Sequence, residues 1–291
     1  MARARVAILI AAVCFGTTGT AQALGPDATP VTVGAVRIAL GALLLLLAQR
    51  LLRARSHTNS AQWPRGPQLV GAIGVAGYAL SFFAAVKLTG VAIGTVVALG
   101  SAPALAGLGA WLIDRERPTN VWYRSTALAV AGVAMIALAG GGAEVDPLGV
   151  LLALGAGTSY AAYTLASKRM LEVGHRPEQV MARIFAFGAV LLIPVLVLGD
   201  ISWLWSWSGV AMALWLAAIP TAFAYLLFAW GLKHLPAGEV ATLTLGEPAT
   251  AVLLGVVVLS ERPGPLAIAG VAVVIAALVM IAVPQRTAQT G

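Results

Sequence analysis

Two stretches of this chain repeat one another at a nearly constant offset. Pro103 is followed by Glu116-Arg117-Pro118, and 145 positions later Pro248 is followed by Glu261-Arg262-Pro263. Phe82–Lys87 (FFAAVK) returns as Phe228–Lys233 (FAWGLK), and Ala131-Gly132-Val133-Ala134 returns as Ala269-Gly270-Val271-Ala272 after a shorter preceding loop in the second half. Arg37 with Gly41-Ala42 returns as Arg183 with Gly188-Ala189. In a chain of 291 residues this offset divides the sequence into two related halves. Such a chain folds as two copies of one unit packed together, and few architectures satisfy that.

Composition selects among them. Hydrophobic residues make up 60% and charged residues 10%, against about 25% charged in soluble domains. A bilayer crossing needs about 20 apolar residues, and the chain has room for ten and little else. We expect helices at 4–24, 31–51, 68–86, 91–112, 124–140, 147–167, 179–198, 208–231, 237–259 and 265–283. Gly25-Pro26, Pro30, Gly90, Pro118, Gly140-Gly141-Gly142, Pro147, Pro177, Pro236 and Pro263 punctuate them. Pro220 falls inside the eighth and should kink it.

The net charge of +7 does not point to nucleic acid, because the basic residues sit in short loops rather than on one face. They read as topology signals. With the N-terminus inside, the cytoplasmic side collects Arg3, Arg5, Arg50, Arg53, Arg55, Arg65, Arg115, Arg117, Arg124, Lys168, Arg169, Arg176, Lys233 and Arg286. The outer side keeps Lys87 and Arg262. That bias places both termini of a ten-span chain in the cytoplasm. Trp203, Trp205 and Trp207 then mark the outer interface and Trp63, Trp122 and Tyr123 the inner one. Arg3, Arg5, an apolar run and Ala21-Gln22-Ala23 also resemble a cleaved signal peptide. However, Cys14-Phe15-Gly16-Thr17 lies at the repeat offset from Ser159-Tyr160-Ala161-Ala162, which argues that the first span belongs to the fold.

Five spans per half is an odd number, so the two copies enter the membrane from opposite sides. Such an inverted repeat supplies two interconvertible arrangements of the same parts, the physical basis of alternating access.

The sequence resembles the drug/metabolite transporter superfamily, in particular EamA-type carriers with two EamA domains. The resemblance rests on Leu99–Pro103 and Leu245–Pro248, each with a small-residue run ending at Glu116 or Glu261. Cys14-Phe15-Gly16, Arg37, Arg183 and the five-plus-five layout agree with it. It implies two repeats, 1–142 and 143–291, in an all-α integral membrane protein of ten transmembrane helices. It also implies export of amino acids, other small metabolites or toxic compounds across a bacterial cytoplasmic membrane. The halves differ at one chemically important position, where Ala102 stands opposite Glu247.

Glu247 is the leading candidate for function. It lies about midway along its span, where a carboxylate costs roughly 2.5–3.5 kcal/mol and usually faces a cavity. There it can carry a proton, pair with a cationic or amino group, or be tied to a hydroxyl such as that of Thr244. Pro248 beside it frees a backbone carbonyl. Tyr78, Phe82, Tyr160, Tyr163, Tyr225, Phe228, Trp230 and Thr244 are expected toward the centre, because a phenol in lipid lacks a hydrogen-bond partner. Pro103, Pro220 and Pro248 are candidate helix breakers, and Arg37 and Arg183 candidate gating or snorkelling residues. The Glu116 and Glu261 turns read as solvated loops, and Glu239 and His234 as solvated groups at the inner interface.

His57, His175 and His234 fall in loop regions and the single cysteine, Cys14, in an apolar run. Neither a catalytic constellation nor a metal site is expected, and no cofactor. No Gly-x-x-x-x-Gly-Lys-Ser/Thr motif is present, so ATP does not drive the protein directly. The expectation is a secondary-active or facilitative carrier of a small molecule, with protons as a candidate coupling ion. The alternative is a proton-coupled multidrug efflux carrier for lipophilic cations. The residues assign no oligomeric state.

Overall fold

The computed structural model describes residues 1–53, 62–115, 117–140 and 146–283. Arg55, His57, Glu116, Gly141, Gly142, Glu144 and Arg286 lie outside the described residues. The main helices among the described residues are α1 (Ala2–Ala23), α2 (Pro30–Arg53), α3 (Arg65–Gly90), α4 (Ile93–Ile113) and α5 (Asn120–Leu138) in the first half. The second half has α6 (Pro147–Glu172), α7 (Pro177–Leu191), α8 (Trp207–His234), α9 (Ala237–Leu259) and α10 (Pro265–Ala282). All except α7 are long and apolar enough to cross a bilayer, nine helices among the described residues. The span expected over 179–198 is interrupted. The helix stops at Leu191 and resumes as the short helix Ile193–Leu198, with Leu192 at φ −93° and ψ 0°. Pro194 supplies no N–H there, so the ladder cannot run through.

Polar side chains start several helices by occupying the free N–H groups of the first turn. Asp146 Oδ1 accepts from Leu148 N at 2.8 Å and Gly149 N at 3.0 Å, with Pro147 at the first helical position. Thr119 Oγ1 accepts from Trp122 N at 3.2 Å, and Ser206 Oγ from Gly209 N at 3.0 Å. The aromatic residues expected at the interfaces divide. Trp205 and Trp207 are exposed, but Trp203 and Trp122 are buried between helices, Trp203 donating to Thr32 Oγ1 at 3.4 Å.

The doubled Glu-Arg-Pro turn has a structural role. The residue that ends α4, Arg115, has φ 59°, and the one that ends α9, Ser260, has φ 57°. Among the described residues these are the two non-glycine positions with positive φ, and they stand 145 apart, at the repeat offset. After the second, Glu261 N donates to Gly255 O at 3.0 Å and satisfies a carbonyl at the end of α9.

Proline inside α8 is accommodated differently. Pro220 sits in a π-helical stretch, Ala218–Phe223. Having no N–H, it leaves the carbonyl of Leu216 without its ordinary donor. The hydroxyl of Thr221 donates to that carbonyl at 2.7 Å.

The helices pack in a pattern that survives exchange of the halves. α1 lies against α8 and α9, and α6 against α3 and α4. α2 packs on α7, and α5 on α10, each pair joining corresponding helices of the two halves. The α5–α10 crossing is set by Gly132 and Gly270. A Cβ on Gly132 would stand 2.8 Å from Gly270 O, and one on Gly270 2.7 Å from Gly132 O. Small residues here let two backbones meet where lipid offers no hydrophobic drive.

Two stability changes follow. Left-handed backbone costs a residue with a Cβ about 1–2 kcal/mol. Ser260→Gly should therefore raise the stability of purified protein by up to about 1 kcal/mol, net of the greater freedom of unfolded glycine. Thr221→Val keeps the shape but leaves Leu216 O without a donor, and should cost about 1–3 kcal/mol. Thermal unfolding in detergent measures both.

Candidate functional site

α9 is the irregular helix at the centre. It runs as Ala237–Leu243, tightens through Thr244 and Leu245, and continues as Gly246–Leu259. The tightening shows in two short bonds, Leu245 N to Thr242 O at 3.1 Å and Glu247 N to Thr244 O at 3.0 Å. The cause is local. Gly246 holds a helix weakly and Pro248 brings no donor. By contrast, α4 passes through Pro103 without a break.

The break places Glu247 in the first turn of the second segment, partly exposed. Gly16 of α1 lies directly against it, for a Cβ there would stand 2.9 Å from Glu247 O. The Thr244 hydroxyl does not hold the Glu247 carboxyl. It donates to Ala241 O at 2.8 Å and meets the Tyr160 hydroxyl at 2.9 Å. The Glu247 carboxyl has neither a hydrogen bond nor an ion pair with any described residue.

Around it stands a set of aromatic rings from both halves. Tyr160 and Tyr163 share a face of α6, with ring centroids 5.0 Å apart. Tyr163 meets Tyr225 hydroxyl to hydroxyl at 3.3 Å. Tyr225 also packs on Phe15 (5.1 Å), Phe185 (4.4 Å) and Phe228 (5.7 Å). Tyr78 lies edge-on to Tyr160 at 6.3 Å and stacked with Phe82 at 5.6 Å. Tyr163, Phe228 and Phe185 are buried and form the packed base, whereas Tyr78 and Phe82 are partly exposed. Phe15 and Phe185 escaped the sequence reading as site residues. Phe15 was detectable, since it occupies the repeat position of Tyr160.

Trp230 lies elsewhere. It is 38% exposed and packs against His234, with centroids 4.9 Å apart. Two residues beyond Phe228 on a helix is the far face, so Trp230 does not join the ring of aromatics.

The two arginines differ in their surroundings. Arg183 donates from Nε to Gln68 Oε1 at 2.8 Å and lies over the ring of Trp63 at 4.4 Å. Arg37 lies within electrostatic reach of Glu247, and Tyr78 and Tyr225 are within reach of both. Its Nε is buried without a hydrogen-bond partner, and it makes no ion pair with Glu247.

The end of the bundle that carries the N-terminus is fastened shut. Arg5 Nε pairs with Glu239 Oε1 at 2.6 Å, and Arg5 Nη1 donates to Ala282 O at 3.2 Å, tying α1 to α9 and α10. Glu239 is thus largely buried, not solvated as its position had suggested. Lys168 Nζ donates to Leu232 O and Leu235 O, both at 3.0 Å, closing the end of α8. Thr126 and Thr242 join α5 to α9 at 2.7 Å. His175, 1% exposed, stacks on Trp63 at 3.7 Å beside Arg183. A groove of about 490 Å³ between α1, α8 and α9 lies toward the other end, lined by Thr17, Met212, Trp215 and Leu254 among others. It carries no charged side chain and stands apart from the Glu247 cluster.

Residues 3–138 and 147–283 each match the EamA-like transporter family. The uncharacterized transporter YwfM of Bacillus subtilis (strain 168) is 42% identical over 285 residues, which cover 98% of this chain and 95% of that one. The threonine/homoserine exporter RhtA of Escherichia coli (strain K12) is 31% identical over 264 residues, 90% of this chain and 85% of the relative. The chain belongs to the EamA-like transporter family. A crystal structure at 22% identity shares the fold, with a TM-score of 0.81 and 95% of each chain covered. This EamA-like chain is accordingly a multi-pass membrane transporter. Among its described residues no three His, Cys, Asp or Glu side chains are grouped to hold a metal.

The buried histidine gives the protein a pH signature. Burial pushes the His175 imidazole below its ordinary value, and Arg183 adds to the effect, against a hydrogen bond to the Gln62 backbone carbonyl that opposes it. The unfolded chain therefore binds the extra proton first as pH falls, so stability is complete above about pH 6.5 and declines below it. His175→Gln should flatten the loss of thermal stability between about pH 7.5 and pH 5, relative to wild type.

Proposed function

We propose that this EamA-like transporter exports an amino acid or a closely related small metabolite across the cytoplasmic membrane by alternating access. In this reading the chain crosses the bilayer ten times, α7 with its continuation supplying the tenth crossing, and both termini are cytoplasmic. The two repeats, 1–142 and 143–291, enter the membrane from opposite sides. The exchange-symmetric packing and the paired left-handed helix stops at Arg115 and Ser260 support that arrangement. The fastened N-terminal end is then the cytoplasmic gate in its closed position.

The observation that carries the substrate reading is the unpaired carboxyl of Glu247 at the break in α9, surrounded by tyrosines. A charge at that depth is expensive and is kept where it meets a solute or an ion. The name of the relative RhtA, a threonine/homoserine exporter, favours amino acids among the solutes. Proton-coupled efflux of lipophilic cations is the second reading, favoured by the partly exposed rings of Tyr78 and Phe82 near the same carboxyl. Export of a cation against a negative interior costs about 2.3 kcal/mol per charge per 100 mV, so that version requires proton exchange.

Counterflow in proteoliposomes separates the two. Wild type should exchange amino acids and not cationic dyes, and Glu247→Gln should lower that exchange about tenfold or more. Exchange of dyes without amino acids would establish the second reading, and exchange of neither would refute carrier function.

A further inference from the structure

Three groups near the α9 break are left without protein partners, and their chemistry is complementary to one kind of molecule. The first is the Arg37 guanidinium, whose buried Nε has no acceptor. The second is the Glu247 carboxyl, with no hydrogen bond or ion pair. The third is the Tyr78 hydroxyl, which bonds to no described residue, whereas those of Tyr160, Tyr163 and Tyr225 are engaged. A donor fork and an acceptor of opposite charge sit within each other's field yet do not close into a salt bridge.

Comparison of the halves shows that Arg37 is not a second copy of the Arg183 latch. Arg183 is held by the amide of Gln68 and the indole of Trp63. Moving Gln68 by the repeat offset of 145 or 146 gives Ala213 or Leu214, and moving Trp63 gives Ser208 or Gly209. Neither the amide nor the aromatic ring is repeated, so this latch cannot form around Arg37. Glu247 is equally without a copy, its counterpart being Ala102, which is buried. Each half therefore contributes one charge of its own, and the two lie within electrostatic reach of one another.

We propose that Arg37 and Glu247 are the two poles of a zwitterion site, the guanidinium taking the carboxylate of a free amino acid and the Glu247 carboxylate its ammonium group. Tyr78, beside both, supplies a hydroxyl to the same solute. This assignment rests on the amino-acid reading above and sharpens it. The carrier requires both charged ends of its substrate and rejects amines, esters and N-acylated derivatives. A guanidinium fork matches a carboxylate in two parallel bonds. A blocked derivative leaves one of the two charges without its partner, which is how a site built to bind both ends discriminates against it.

The test is inhibition of radiolabelled threonine counterflow in proteoliposomes by threonine, threonine methyl ester and N-acetylthreonine. For wild type, free threonine should compete at least about tenfold better than either blocked form. Arg37→Gln should raise the half-inhibiting concentration of threonine about 10- to 100-fold and remove the preference over the methyl ester. Glu247→Gln should remove the preference over N-acetylthreonine instead. Arg37→Lys keeps the charge without the fork, so it should retain the preference over the ester with weaker binding, and it serves if the glutamine variant does not insert. Arg183→Gln should leave both preferences unchanged. If wild type exchanges threonine but the blocked forms compete equally, or if Arg37→Gln still prefers threonine to its ester, the site assignment is wrong and amino-acid export stands. If wild type exchanges dyes and no amino acid, export and site fall together.

Discussion

A peptide group inside a bilayer has no water to turn to, so each interruption of a helix must be answered by the protein itself. This constraint explains why the irregular points of the bundle are few and differently finished. At Pro220 the carbonyl of Leu216 is taken by the Thr221 hydroxyl, and α8 continues. At Gly90 the backbone adopts φ 77° to turn from α3 into α4. At Pro248 the amide of Glu247 turns back to Thr244 O, and the Thr244 hydroxyl covers Ala241 O. The backbone is satisfied there within one turn, which leaves the Glu247 side chain uncommitted.

That last point links fold to function. The Thr244 hydroxyl, three residues before the Glu247 carboxyl, is already engaged by Ala241 and Tyr160. The carboxyl could have closed on Arg37, and it does not. Thr244 is occupied by the repair of α9, and Arg37 stands within electrostatic reach without pairing, so the carboxyl keeps no partner among the described residues. The aromatic rings add shape without adding charge. Tyr163, Phe228 and Phe185 form the packed base, and Tyr78 and Phe82 lie at its rim, Tyr78 against Tyr160 and Phe82 against Tyr78.

Much of this was legible in the sequence because lipid makes hydropathy an unusually direct signal. The segments for nine long helices stood out, and so did Glu247, through its contrast with Ala102. The interruption at Leu192 was not visible as such, because an apolar run looks alike whether or not Pro194 breaks its ladder. Arg37 and Arg183 looked equivalent since each follows the same pattern. Their difference lies in Gln68 and Trp63, which are distant in sequence and reach Arg183 only through the fold. The exposure of Trp230 could have been read beforehand. Helical spacing already puts it away from Tyr225 and Phe228, and grouping aromatics by span rather than by face hid that.

The duplication also bears on how the two ends of the bundle close. At the N-terminal end Arg5 and Glu239 form a largely buried ion pair between α1 and α9. The positions that match them at the offset of 145 are Val150 and Gly94, on α6 and α4. In the exchanged arrangement of the halves those two residues would take up the corresponding places at the other end, and no ion pair is available to them. The Arg5–Glu239 ion pair therefore has no copy in the other half. Opening such a pair to water returns the hydration that burial removed, so the pair specifies which residues meet more than how strongly they hold. In the alternating-access reading proposed above, the repeat makes the two arrangements similar in shape, and unmatched residues such as Arg5 and Glu239 distinguish them.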